Sequence, residues 1–178
     1  MIDLVAQPLV AIPAAALAQL REAVMRDGGD PAPVQEAGYA AGEGLYDAFA
    51  AGVHARGLPA PEAMEVSAAQ IEATNFFREA GWGEIRFEPL GAVVALDAPA
   101  WREADPAAGI PHPGCFFGTG LLAGFFGRLA DAPLAALEVE CRSMGAPRCR
   151  FLLGGAESLE SVYEEIAARG DYRAAVAR

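Results

Sequence analysis

Residues 115–131, CFFGTGLLAGFFGRLAD, place Phe117, Leu121, Leu122 and Phe125 on helical spacing and interrupt them with Gly118, Gly120 and Gly124. The apolar residues mark a buried helix. A second helical pattern runs from about Pro33 to Ala55, with Val34, Tyr39, Leu45, Phe49 and Val53 as apolar residues and Gly38, Gly42 and Gly44 along it. An interior glycine costs a helix about 1 kcal/mol relative to alanine. Three of them predict close packing against another backbone. The run Gly118-Thr-Gly120-Leu-Leu-Ala-Gly124 is not a dinucleotide loop, because its third glycine comes one residue late and no strand–helix–strand pattern surrounds it.

The other elements follow from period and punctuation. Pro13 to about Arg26 reads as a first helix with Leu17, Leu20 and Val24 at helical spacing, a proline at its start and Gly28-Gly29 at its end. Ser67 to Ala80 reads as a third, with Ile71, Phe76 and Phe77 buried. The pattern then changes to alternation: Ile85 and Phe87 between Glu84, Arg86 and Glu88, and then the apolar run Val93 to Leu96. Two strands joined by a turn at Pro89-Leu90-Gly91 are expected. Residues 98–114 hold four prolines and two acidic groups and form a loop long enough to cover something. Leu134 to Cys141 and Cys149 to Leu153 form a second hairpin around SMGAP, and Ser158 caps a last helix to about Ala168. The order ααα-ββ-α-ββ-α indicates an α+β domain, an antiparallel sheet of two hairpins packed with about five helices.

At 178 residues the chain is expected to be one domain over 1–178, with 1–30 as its N-terminal helix. Thirteen Lys plus Arg stand against 24 Asp plus Glu, without basic clusters, which argues against nucleic acid or an anionic membrane as direct partners. No uninterrupted apolar run reaches the ~20 residues of a membrane span. The uncharged stretch Leu4 to Leu20 follows Asp3 and is broken by Pro8 and Pro13, unlike a signal peptide, so a cytoplasmic protein is expected. An odd cysteine count in that compartment argues against a disulfide framework.

The segment EVECRSMGAPRC, residues 138–149, raises the chemical question. Cys141 and Cys149 face each other across a tight loop favoured by Gly145 and Pro147, and Cys115 opens the glycine-rich helix, where the helix dipole favours its thiolate. Three thiolates with the Glu138 carboxylate make a four-coordinate set of the kind zinc takes. A regular strand would send Glu138 and Cys141 to opposite faces, so this set requires a bulge or break near Val139. Spacing alone leaves three readings open: a metal site, ordinary buried thiols, or a Cys141–Cys149 disulfide. His112, in IPHPGC, is near enough in sequence to substitute as a ligand, though a plain loop histidine is the simpler reading. His54 reads as exposed.

The stretch CFFGTGLLAGFFGRLADAPLAALEVECRSMGAPRCRF resembles the signature of the 4-vinyl reductase (4VR) domain. In that signature a cysteine opens a glycine-rich helix and E-x-x-C-x-x-x-G-x-x-x-C-x-F follows on a hairpin. Cys115, Glu138, Cys141, Gly145, Cys149 and Phe151 fall at matching positions, and FFREAGWGEIRF and GYAAGEGLYDAF are similar to weaker features. The resemblance implies that Cys115, Glu138, Cys141 and Cys149, within a signature segment 115–154, hold a structural Zn²⁺. It also implies a fold like that of dimeric small TRAPP subunits, haem-based nitric oxide sensors and the sensor domains of aromatic-responsive regulators. Thr119 and Ala136 stand where phenol-sensing relatives carry tyrosines, so a phenol read by those groups is not expected here. The chain ends at Arg178, so the ATPase and DNA-binding parts of such regulators are expected to be absent.

Two histidines, no Ser/His/Asp arrangement and a closed donor set offer little for catalysis. The expected function is therefore a zinc-stabilised sensor or carrier domain, a homodimer that binds a small apolar or aromatic molecule. Tyr46, Phe76, Phe77, Trp82, Phe117 and Leu121 are the candidate ligand pocket. Two alternatives follow from the resemblance: a tetrapyrrole 4-vinyl reductase or accessory factor in (bacterio)chlorophyll biosynthesis, and a TRAPP-like scaffold or tethering subunit. No flavin or nicotinamide motif is visible for the former.

Overall fold

The computed structural model describes residues 9–26 and 29–176, so Asp3, the Leu4 to Pro8 stretch, the expected helix stop at Gly28 and the chain end at Arg178 lie outside the described residues. Helices α1 (Ala14–Met25), α2 (Ala32–Ala55) and α3 (Val66–Glu79) precede strands β1 (Arg86–Leu90) and β2 (Val93–Ala98). Helix α4 (Phe116–Ala130), strands β3 (Ala135–Glu140) and β4 (Cys149–Gly154), and helices α5 (Ala156–Arg169) and α6 (Arg173–Val176) complete the order. This is the α+β arrangement expected from the pattern, with one short helix more.

The four strands make a single antiparallel sheet in the order β1-β2-β4-β3. The two hairpins are joined through β2 and β4, where Leu96 lies opposite Phe151. Alternation along the strands divides the core in two. Leu96, Phe151 and Leu153 face Phe49, Phe77 and Phe125 on α2, α3 and α4. Val93, Ala95 and Leu152 face Leu159 and Val162 on α5 and Tyr172 before α6. The central strand β4 is therefore buried at every residue. Arg150, 7% exposed, is held on β4 by Asp97 and Glu88 of the neighbouring strands and by Tyr172.

Helices α2 and α4 touch backbone to backbone. A Cβ on Gly38 would stand 2.1 Å from the Phe117 carbonyl oxygen, and one on Gly42 would stand 2.2 Å from that of Leu121. From the other side, a Cβ on Gly120 would stand 1.9 Å from the Gln35 oxygen, and one on Gly124 would stand 2.3 Å from the Tyr39 oxygen. The glycines are the contact itself. Gly44 differs, with nothing within 4 Å of its Cβ position.

Several local expectations are corrected. Pro89 and Leu90 belong to β1, and the turn is Gly91-Ala92, with φ of 61° at Gly91. Proline is tolerated there because β1 is an edge strand. Ile71 is 61% exposed: α3 buries Ala69, Ala73, Phe76 and Phe77, and Ile71, two residues before Ala73, lies about 200° round the helix. Tyr39 and Leu20 are likewise exposed, on the flanks of faces that bury Val34, Gly38 and Gly42 in α2 and Leu17 and Arg21 in α1. Ser158 lies inside α5, whose N-cap is Gly155.

Candidate metal centre

Cys115 is the N-cap residue of α4, but its side chain does not cap the helix. The exposed N–H groups of the first turn are instead taken by Glu103, which accepts from Phe117 N at 2.9 Å and from Gly118 N at 2.6 Å. This frees the Cys115 thiol to turn towards the hairpin. Burial pushes Glu103 up to about 7, against the opposing pull of those two N–H groups.

The hairpin supplies the other three side chains. Glu138 pairs with Phe151 and Glu140 with Arg150, so Val139 is an extra residue and the strand bulges there. That is the irregularity needed to bring Glu138 and Cys141 to one side. After Cys141 a tight turn, Arg142–Met144, closes at Gly145 with φ of 88°, and Cys149 opens β4.

Donor atoms of Cys115, Glu138, Cys141 and Cys149 all lie within 4.8 Å of one another, and all four residues are buried. The Cys115 sulfur is 3.8 Å from each of the other two. A tetrahedral centre with Zn–S bonds of about 2.3 Å has S···S edges of about 3.8 Å. A disulfide needs about 2.05 Å, and all three cysteines are free thiols here. Glu138 accepts from the Cys115 N–H through Oε2 at 2.9 Å, while its Oε1 is buried without a hydrogen-bond partner. The spacings and the orphaned oxygen fit a tetrahedral Cys₃Glu ion.

The charges argue the same way. Hydrogen bonds to Cys141 and Cys149, and then burial, push the Cys115 thiol up, while hydrogen bonds from the same neighbours hold Cys141 down. The helix end therefore does not make Cys115 the thiolate of the metal-free cluster; Cys141 carries that charge. Burial, with the Cys141 charge adding to it, pushes Glu138 up to about 8. A divalent cation reverses this balance, because bound thiols are deprotonated outright. Backbone N–H groups of Gly114 and Arg142 already point at the Cys141 and Cys149 sulfurs. His112 is exposed and lies outside the cluster.

The remaining candidates form a continuous set of rings. Tyr46 meets Phe125 at 5.8 Å, Phe125 meets Phe77 at 4.9 Å, and Phe77 meets Trp101 at 6.2 Å. Trp82 stacks on Trp101 at 5.1 Å and on Phe117 at 5.9 Å. Phe76 stacks on Phe125 at 5.7 Å, and Leu121 is fully buried in the same cluster. At the Tyr46 end the set meets a cleft of about 380 Å³ bordered by Ala50, His54, Leu58, Pro61 and Arg128. Tyr46 Oη donates to Glu62 there at 2.8 Å, and the Arg128 guanidinium lies 5.0 Å over its ring. Thr119 donates to the Phe116 carbonyl and faces Gln35.

Sequence reasoning missed Trp101, Glu103 and Ser143, all buried. For Glu103 a signal existed: α4 begins without Ser, Thr, Asp or Asn at its N-cap, so its N–H groups need an acceptor from elsewhere.

Residues 101–154 match the model of the vinyl-4-reductase (4VR) domain, a span that holds all four clustered residues. The resemblance read from the sequence is borne out over that segment. No curated protein matches the chain. Among solved structures it is similar to the phenol-responsive sensory domain of the transcription activator PoxR with phenol, with a TM-score of 0.65, 18% identity and coverage of 89% of this chain and 82% of that one. A vinyl-4-reductase family protein from Methanocaldococcus jannaschii gives a TM-score of 0.52, 18% identity and 82% coverage of both chains. A trafficking protein particle complex subunit 3 from Naegleria fowleri, covalently bound to palmitic acid, gives 0.57 and 12% identity over 79% of this chain and 91% of that one. At these identities the likeness is one of fold. No helix among the described residues is long and apolar enough to cross a membrane.

Proposed function

We propose that this chain is a single cytoplasmic, homodimeric domain in which a structural zinc ion ties α4 to the β3–β4 hairpin, and which senses or carries a small apolar or aromatic molecule without catalysing its conversion. Cys115, Glu138, Cys141 and Cys149 hold the ion. Four protein ligands leave no open position for a water or substrate, so the metal adds stability and supplies no reaction step. The ligand is held among Tyr46, Phe76, Phe77, Trp82, Phe117 and Leu121.

The observation that carries the ligand reading is the continuity of the ring set with the cleft at Tyr46. Small-molecule sites are mostly apolar hollows of roughly 300–1,000 Å³ with a few placed polar groups, and a cleft of about 380 Å³ beside Tyr46, Glu62 and Arg128 has that character. Fold neighbours crystallised with phenol and with palmitic acid support it.

The test is thermal unfolding of the zinc-loaded chain with toluene, phenol, benzoate, palmitate and protoporphyrin. A bound compound at 100 times its Kd adds about 2.7 kcal/mol to stability. A saturable rise with one of the first four, lost in Tyr46→Ala, is expected. No shift with any compound contradicts the reading, and a shift with the porphyrin alone favours a tetrapyrrole role, for which the fold neighbour of the vinyl-4-reductase family is the supporting observation.

A further inference from the structure

Between β2 and α4 the chain runs across the hairpin that carries Cys141 and Cys149. We propose that residues 101–114 are the outer shell of the metal centre, pinned by two positioning residues, Glu103 and Ser143, that set how long the ion is held. The inference rests on the metal reading above.

Ser143, fully buried, lies in the turn between two of the cysteines. Its hydroxyl oxygen accepts from Asp105 N at 2.9 Å and its carbonyl accepts from Ile110 N at 3.0 Å, so one residue ties down two points of the segment. Glu103, 3% exposed, ties the same segment to the first turn of α4 through Phe117 N and Gly118 N. The segment then ends at Gly114, whose N–H points at Cys141.

The segment is also closed on itself and on α1. A Cβ on Gly114 would stand 2.5 Å from Ile110 Cδ1 and 3.6 Å from Arg21 Cδ. Arg21, 6% exposed on α1, opposes the Glu103 charge, and its Nη1 is buried without a hydrogen-bond partner. Groups that orient metal ligands from behind govern retention, and their loss costs typically 10–100-fold in metal affinity. Glu103 does so by fixing the start of α4 and hence the direction of Cys115. Ser143 does so by holding the cover over the hairpin turn.

The test measures zinc release from the full chain into excess 4-(2-pyridylazo)resorcinol at pH 8, beside the absorption spectrum of the cobalt-substituted protein. Glu103→Ala and Ser143→Ala are expected to release zinc about tenfold faster or more, with thiolate-to-cobalt intensity preserved and the ligand-field bands shifted. Glu103→Gln, which keeps one acceptor, falls between, and Asp47→Ala at the far end of α4 matches wild type. If Glu103→Ala does not fold, Ser143→Ala and Glu103→Gln decide. Unchanged release in the variants of a metal-bearing protein overturns this inference alone. A wild-type chain that holds no metal overturns the metal reading, and this inference with it.

Discussion

The backbone N–H of Cys115 donates to Oε2 of Glu138 at 2.9 Å, which turns the other carboxylate oxygen, Oε1, into a buried acceptor with no partner. The start of α4 thus orients a carboxylate that lies 23 residues further along the chain, on β3. Buried polar atoms without partners cost about 1–3 kcal/mol each. With three sulfurs packed round it, this one has a chemical explanation: it is the fourth donor to a cation.

The α2–α4 contact predicts opposite outcomes for two glycine substitutions. Gly120→Ala sets a methyl 1.9 Å from the Gln35 carbonyl oxygen, and separating two backbones should cost about 3 kcal/mol or more. Gly44→Ala meets nothing within 4 Å and should stabilise α2 by about 0.5–1 kcal/mol. Urea unfolding of both variants checks the pair.

On α3, Phe77 and Ile71 should differ as sharply. Phe77 is fully buried against Phe125, Phe126 and Trp101, so Phe77→Ala should cost about 3–5 kcal/mol. Ile71→Ser, on the exposed side, should stay within about 0.5 kcal/mol of wild type. Equal losses in denaturant melts would mean that α3 is rotated from the orientation described.

Glu103 should imprint a pH dependence on stability. Its folded value of about 7 lies above its ordinary 4.5, so the fold favours the protonated acid. The associated stability is fully present below about 4.5 and is lost as pH rises through about 7. Glu103→Gln cannot titrate. The stability of wild type relative to Glu103→Gln should therefore fall between pH 5 and pH 8, measured by chemical denaturation at each pH. A constant difference would show that Glu103 titrates normally.

Much of this architecture is legible in the chain because it is local or repetitive. The glycines of α2 announced a backbone contact, and the three-residue step from Glu138 to Cys141 demanded the bulge found at Val139. What escaped was long-range. Nothing near Glu103 says that it will cap a helix starting 13 residues later, and nothing near Ser143 says that a proline-rich loop will hang from it. Ile71 escaped because apolar spacing identifies a helix more securely than it identifies which side faces the core.

The cluster at Cys115, Glu138, Cys141 and Cys149 stands or falls as a metal centre on one measurement. It is the metal content of the tag-free full chain by inductively coupled plasma mass spectrometry, beside thermal unfolding of wild type and Cys141→Ser. One zinc per chain is predicted, lost in the variant together with a large fall in Tm, because binding a structural metal is coupled to folding. A chain free of metal, with a variant that melts where wild type does, would make the three cysteines ordinary core thiols.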